Sequence, residues 1–240
     1  VLVKVDTTDN GQLDTLVISS KLMESYDDST KRVVATDSVL IARKDFASIN
    51  DITILYRNSD YLYTYKPENA TSQPVMWNEN TQLIGDSINV YLQNNKLKRL
   101  FINSNASIIS SNEKYDFKYD QISGRNIEMM FGENGLEKTE VTGSVLSIYY
   151  LFEDDEPNGL LKSSSERTVI FFEDNAVTEV KFYGNPVSEY HPENLIEGKE
   201  KEFTIPSFII IKNKPTKESI IGNRASKIFS KLNKLQSYGK

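Results

Sequence analysis

The sequence predicts an all-β protein whose hairpins recur along the chain and stack into one elongated domain. Three observations support this fold class. Apolar and polar residues alternate with a period of two, as they do on a strand with one buried face. Short turns rich in Asn, Gly and Asp separate the alternating runs. The hairpin unit also recurs after about 40 residues, and periods of 20–50 residues indicate stacked units.

Three copies of the hairpin are clear. Ile88, Ile127 and Thr168 occupy equivalent positions in the outgoing strands, and Ala106, Val145 and Pro186 keep the same offsets. Each copy consists of an outgoing strand, a turn and a returning strand. In the first copy these three parts cover 85–92, 94–96 and 97–102. In the second copy they cover 124–131, 133–135 and 136–141. In the third copy they cover 168–172, 173–175 and 177–182. An isolated hairpin is marginally stable in water, so successive units must share a core.

The remaining elements follow from the same patterns. Short apolar or alternating runs predict further strands at 1–5, 13–18, 33–41, 52–56, 61–65 and 206–211. The run 33–41 resembles the start of an earlier copy of the unit. Polar or charged stretches predict loops at 66–73, 111–119 and 153–159.

The character of the chain changes near residue 212, and this predicts a repeat domain over 1–212 and a separate segment over 213–240. Apolar residues from Ile220 to Leu235 recur at helical spacing, with basic residues between them. The segment is either a short amphipathic surface helix or tail, or a basic element that contacts an anionic membrane surface or a partner.

Composition excludes several classes of function. The formal charge of −6 and the pI near 5.1 argue against nucleic acid as a partner. The absence of cysteine excludes disulfides and thiolate metal sites, and the one histidine, His191, provides neither a zinc site nor a catalytic triad. We therefore predict no catalytic residues, no metal and no cofactor. The sequence has no apolar run of about 18–20 residues that would cross a membrane.

The apolar face of the repeated hairpins is the candidate site. Its residues serve either as ordinary core or as the lining of a slot that receives an acyl chain, and methionine and phenylalanine suit adaptable apolar contacts. The candidate lining consists of Ile88, Val90, Leu92, Leu100, Ile102, Ile127, Met129, Phe131, Val141, Ile170, Phe172, Val180 and Phe182.

The repeat resembles the OstA-like family of lipopolysaccharide-transport proteins, including the LptA type and the N-terminal domain of the outer-membrane receptor LptD. The similarity covers roughly 13–212 and is greatest to the longer members from Bacteroidetes-type bacteria. It is carried by short segments at 35–41, 73–77, 82–88, 120–127 and 184–186. The three predicted loops are longer than in the compact bridge proteins of the family.

The resemblance implies a β-jellyroll folded like a taco, whose apolar interior holds the acyl chains of lipid A. It also implies a periplasmic, non-catalytic protein that carries or bridges lipopolysaccharide toward the outer membrane. Its partners would be lipopolysaccharide and other jellyroll domains joined by edge-strand pairing, and a homo-oligomer stays open. An N-terminal signal peptide is expected to have been removed.

Two alternatives remain open. The first is a structural adaptor that fills its interior with its own side chains and binds partners through open sheet edges. The second is a carbohydrate-binding β-solenoid. Tyr61, Tyr63 and Tyr65 alternate on one face, which would suit sugar stacking. A filled interior favours the adaptor, and an exposed aromatic row beside clustered carboxylates favours the carbohydrate-binding protein.

Overall fold

The computed structural model describes residues 1–7, 13–94, 96–115, 117–174 and 176–222, and over these ranges the protein is nearly all β. The predicted all-β class is therefore confirmed. Fifteen antiparallel strands form one sheet. They are β1 Leu2–Thr7, β2 Leu13–Ser19, β3 Leu22–Ser25, β4 Arg32–Ala42, β5 Phe46–Tyr56, β6 Tyr61–Tyr65, β7 Val75–Asn78, β8 Thr81–Ile84, β9 Ser87–Gln93, β10 Lys96–Ser111, β11 Tyr119–Phe131, β12 Leu136–Glu153, β13 Glu156–Glu173, β14 Ala176–Tyr183 and β15 Val187–His191.

The long strands divide the sheet into two halves whose inner faces pack on each other. Half-sheet I runs in the order β3, β4, β5, β6, β9, β10, β11, β12, β13, β14. Half-sheet II runs in the order β1, β2, β4, β5, β7, β8, β10, β11, β12, β13, β15. Strands β4, β5 and β10–β13 belong to both, because each contributes one end to each half.

A line of backbone bends marks the boundary between the two halves. The ladder shifts register in β4 between Thr36 and Val39, and equivalent shifts occur in β10 and β12. The residues inside each shift, and those that join β14 to β15, have positive φ, which is typical of β-bulges that redirect a strand. They are Asp37 and Ser38, Ser104 and Asn105, Gly143 and Ser144, and Gly184 and Asn185.

The first two hairpin copies each begin with a glycine beside the line of bends, and the space around these glycines explains why. A Cβ on Gly85 would lie 2.3 Å from Ile102 Cγ2, and one on Gly124 would lie 2.6 Å from Val141 Cγ1. Both distances are shorter than any allowed carbon contact. Glycine at these two positions therefore lets an inward side chain of the neighbouring strand pack over the backbone.

The three predicted hairpins are confirmed as β9–β10, β11–β12 and β13–β14, and the predicted loops at 66–73 and 111–119 fall largely between strands. The acidic turn predicted at 153–159 is present but shorter than predicted. β12 and β13 extend to Glu153 and Glu156, and Asp154 and Asp155 form the turn with positive φ at both positions. Two consecutive positive-φ residues make a tight hairpin turn, so the acidic residues there do not need a long loop.

The chain after β15 forms a strap over the outer face of half-sheet II instead of the strand predicted at 206–211. It contains helix α1 Glu193–Ile196 and the short 3₁₀ turn Glu200–Glu202, and helical residues begin again at 217. The amide of Gln121 donates to Phe203 O at 3.2 Å and accepts from Ile205 N at 2.9 Å. The strand prediction at 206–211 is wrong, because the strap has no strand there and side-chain amides take the backbone groups that a strand partner would use.

Gln82 binds the strap in the same way. Its amide donates to Ile209 O at 2.7 Å and accepts from Ile211 N at 2.9 Å. Gln82 and Gln121 are one repeat period, 39 positions, apart in the sequence. The strap ends with Ile220 buried against Val17 and Ala42. Most of the basic segment predicted to be a helix or tail, residues 223–240, lies outside the described residues.

Candidate functional site

The inner face of half-sheet I carries the predicted lining residues. Ten of the thirteen lie in two continuous rows across the strands, and Leu92, Phe131 and Phe172 lie two residues beyond those rows on β9, β11 and β13. Directly opposed residues of antiparallel neighbours point to the same side. One row joins Ile88, Ile102, Ile127, Val141, Thr168 and Phe182. The next joins Val90, Leu100, Met129, Thr139, Ile170 and Val180. The predicted residues are therefore on one face of the sheet, as the alternation indicated.

From β4 to β11 this face is closed. Ile88, Leu100 and Ile127 have no exposed surface and pack in one cluster with inward residues of half-sheet II, among them Met76 and Leu83. A cavity between the halves at the N-terminal end has a volume of only about 10 Å³, room for at most one water molecule. Over this part of the chain, the interior is filled by the protein's own side chains.

An ion pair bridges the two halves at the N-terminal end. Lys4 Nζ in half-sheet II lies 3.0 Å from Asp60 Oδ1, in the turn before β6 of half-sheet I. Both residues also line the small cavity, together with Phe46 and Leu92. This end of the interior is therefore closed by contacts between the halves.

The C-terminal end of the same inner face is open. Ile170, Phe172 and Phe182 are only partly buried, and Val180 is 41% exposed. The facing row of half-sheet II changes from Ile108 and Ile122 to serines, and the strand partners Ser147, Ser163 and Ser188 continue it. Small side chains on one half and uncovered apolar side chains on the other leave a mouth between β14 and β15.

Both halves also end in unpaired strand edges at this mouth. β14 pairs only with β13 in half-sheet I, and β15 pairs only with β13 in half-sheet II. Within the described residues no strand covers the other edge of either strand. Such edges present backbone N–H and C=O groups that can add a further strand.

Near the mouth, Lys118 and Tyr150 fix the strap, whereas Asp120 lies on the inward-facing side of β11, two residues from Ile122. Lys118, 5% exposed in its side chain, lies 2.7 Å from Glu193 Oε1 and over the ring of Tyr150. Burial, with the negative charges of Glu200 and Glu193, raises the pKa of Tyr150 to about 12. Burial also raises the pKa of Asp120 to about 7, although Asp120 accepts a hydrogen bond from Tyr150 N. Lys118, Glu193 and Tyr150 therefore stabilise the start of the strap.

The tyrosines singled out in the sequence form part of a ladder on the outer face of half-sheet I. Tyr61 stacks between Tyr56 and Tyr91 with ring centroids 5.4 and 4.7 Å apart, and Tyr63 stacks on Tyr65 at 5.2 Å. Because the rings cover one another's faces, they present mainly edges and hydroxyl groups to solvent. Sugar stacking needs open ring faces, so this geometry disfavours the carbohydrate-binding alternative.

No group of three or more His, Cys, Asp or Glu side chains within the described ranges could hold a metal ion. In the same part of the chain, no helix is long and apolar enough to span a membrane.

Among the comparisons with known proteins, only the one with solved structures finds matches. No family model and no curated protein sequence matches the chain. Among solved structures, it is similar to the crystal structure of LptH from Pseudomonas aeruginosa, described as the LptA-homologous periplasmic component of the lipopolysaccharide transport device. The match covers 68% of this chain and 80% of LptH, with 10% identity and a TM-score of 0.34. At these values the likeness carries no argument about function, so the resemblance to the OstA-like family stays a prediction.

Proposed function

We propose that this protein is a non-catalytic, periplasmic lipid-binding protein that carries or bridges lipopolysaccharide toward the outer membrane. The proposal rests on one observation: the exposed fraction of the apolar side chains rises along a single inward-facing row. Leu100 is fully buried, whereas Val180, in the same row, is 41% exposed. An acyl chain placed between β14 and β15 would remove this apolar surface from water, at about 0.8 kcal/mol for each buried CH₂ group.

The lipid-binding residues of this proposal fall into two groups. Ile170, Phe172, Val180 and Phe182 form the direct contact surface at the open mouth. The other predicted lining residues support that surface from the packed part of the interior; they are Ile88, Val90, Leu92, Leu100, Ile102, Ile127, Met129, Phe131 and Val141. In this proposal the chain forms a jellyroll of repeated, bent hairpins over 1–212, followed by the segment 213–240.

The unpaired edges support an extension of the proposal to partners. β14 and β15 end next to the mouth, so a jellyroll domain that added strands there would continue the apolar face without exposing it to water. A lipid could then pass between domains while its chains stay buried. Transfer of this kind needs a lined path and no catalytic group.

Photocrosslinking tests the proposal with matched positions on one strand. A photoreactive residue would replace Val180 or Phe182, which face inward, and Lys181, which faces outward between them. In cells that make lipopolysaccharide, we expect lipid adducts at Val180 and Phe182 and at least tenfold fewer at Lys181. Equal labelling at all three positions, or none in folded variants, would reject the lipid path.

The adaptor is the second candidate, because the interior from β4 to β11 is filled. It predicts adducts to protein partners from residues at the edge of β14 and no lipid adducts at Val180 or Phe182. The same experiment therefore separates the two functions, since lipid and protein adducts differ in mass.

A further inference from the structure

A second apolar surface lies outside the interior, on the outer face of half-sheet II. A cleft of about 810 Å³ lies between the strap and the line of bends. Its floor is a row of four directly paired residues on neighbouring strands: Leu40, Ile49, Val75 and Ile84. With strands about 4.8 Å apart, this floor is about 14 Å long.

One wall of the cleft is the strap. Ile209 and Ile211 line it, and the amide of Gln82 fixes their backbone. The apolar lining is entirely aliphatic: it is a narrow trough without the aromatic ring faces that select flat ligands. An aliphatic trough of this length suits one linear hydrocarbon chain.

The other wall is polar and held in place by Asp86. Its carboxylate accepts hydrogen bonds from Gln73 Nε2 and Asn105 Nδ2, both at 2.8 Å, and its backbone O accepts one from Lys66 N at 2.8 Å. These bonds tie the loop after β6 to the line of bends. The polar groups at the rim are therefore preorganised for a ligand.

The charges at the rim indicate which head group fits. Lys66 contributes one positive charge, and Asp51 and Asp86 contribute two negative charges, so the formal sum is −1. Hydroxyl and amide groups of Ser38, Thr71, Ser72, Gln73 and Asn105 also line the rim. Such a wall can exchange hydrogen bonds with ligand hydroxyls, whereas it lacks the cluster of cations that a phosphate would need.

We propose that this outer cleft binds a single-chain amphiphile with an uncharged, hydroxyl-rich head group, separately from the lipid path between the half-sheets. The chain lies on the aliphatic floor against the strap, and the head group meets the rim at the bends. The site is independent of the proposed function, because its lining includes none of the lipid-binding residues proposed for the inner face.

Trp77 provides a direct reporter for this site. It is the only tryptophan in the chain, and it packs in one cluster with Val75, Ile84 and Ile211 of the cleft. We would titrate the full chain with dodecyl maltoside below its critical micelle concentration and record Trp77 emission. The expected result is a saturable change that dodecyl phosphate produces at least tenfold less tightly and maltose does not produce.

Matched variants assign the signal to the cleft. Ile49→Glu places a charge on the partly exposed floor and should weaken binding at least tenfold, because the hydrocarbon chain would then bury that carboxylate. Ile54→Glu, on the same strand and equally half-buried but on the outer face of half-sheet I, away from the cleft, should leave binding unchanged. Thermal melts of both variants verify folding.

Three results would overturn the inference. The first is an Ile49→Glu variant that is folded and binds like the parent chain. The second is loss of the signal in Phe182→Glu with Ile49→Glu unaffected, which would assign binding to the inner face and leave the proposed function standing. The third is binding only after removal of residues 223–240, which would make that segment the occupant of the cleft.

Discussion

The two ends of this molecule are built from the same kind of bent strand but bury apolar side chains on different faces. From β4 to β11 most of the buried apolar side chains point inward, and both half-sheets contribute to one packed interior. From β12 to β15 the inward row of half-sheet II that continues Ile108 and Ile122 consists of serines, and a second group of buried apolar residues lies on the outer face under the strap. That second cluster contains Ile148, Tyr150, Leu160, Ile196 and Ile205.

This difference shows that stability and binding capacity can be separated along one sheet. At the N-terminal end the interior supplies the core, so it has no room for a ligand. At the C-terminal end the strap supplies the core from outside, and the inner face there is free for a ligand. The strap is therefore part of the reason why the mouth can stay open.

The largest expected difference between the two ends is in the free energy of unfolding when equivalent inward residues are truncated to alanine. Leu100 and Ile170 share one row, but Leu100 is fully buried and Ile170 is only partly covered. We expect Leu100→Ala to lower the free energy of unfolding by about 3 kcal/mol and Ile170→Ala by less than about 1 kcal/mol. Urea denaturation of both variants measures the difference.

Equal losses would break the comparison. They would mean that the inner face at β13 is as closely packed in solution as at β10. The lipid path would then have no open mouth, and the adaptor would become the better proposal.

The next effect concerns pH and is confined to the C-terminal end. The raised pKa of Asp120, about 7, means that the folded protein holds this proton more tightly than the unfolded chain, whose carboxyl has a pKa near 3.8. The contribution to stability is therefore complete below about pH 4 and is lost as the pH rises to about 7.

Asp120→Asn keeps an oxygen acceptor for Tyr150 N and removes the titration. We expect the variant to gain about 3 kcal/mol relative to the parent chain between pH 5 and pH 8, because the parent loses about 1.4 kcal/mol for each of the two pH units up to the folded pKa of about 7. Urea denaturation at the two pH values measures the gain. A constant difference between the two proteins would show that Asp120 titrates normally in the folded state.

The sequence predicted the hairpins and the facing of their residues, because period-two alternation follows directly from strand geometry. It did not predict at which end of the molecule the inward-facing residues would be buried and at which end they would stay exposed. Ile88 and Val180 have the same pattern, yet the first is buried and the second is exposed. Cover depends on contacts between residues far apart in the chain, such as Ile205 on β12 and β13, and a local pattern carries no information about them.

One feature of the sequence indicates the strap. Gln82 and Gln121 occupy equivalent repeat positions on an otherwise apolar outer row, and both are almost fully buried. A buried amide needs partners, so two glutamines one period apart indicate a segment with free backbone groups. The run 206–211 was instead assigned to a strand because its β-branched residues suit one equally well.

The smallest expected effect tests whether the strap contributes more to the free energy of unfolding at the open end than at the packed end. Gln121→Leu leaves the N–H of the buried Ile205 unpaired, whereas Gln82→Leu leaves that of Ile211, which is only partly buried and can bond to water. We expect losses of about 1.5 and about 0.5 kcal/mol respectively, since the cost of an unpaired group rises with its burial. Hydrogen exchange at Ile205 and Ile211 reports each contact separately. The reverse order would mean that the strap stabilises mainly the packed end, and that the open mouth depends on some other support.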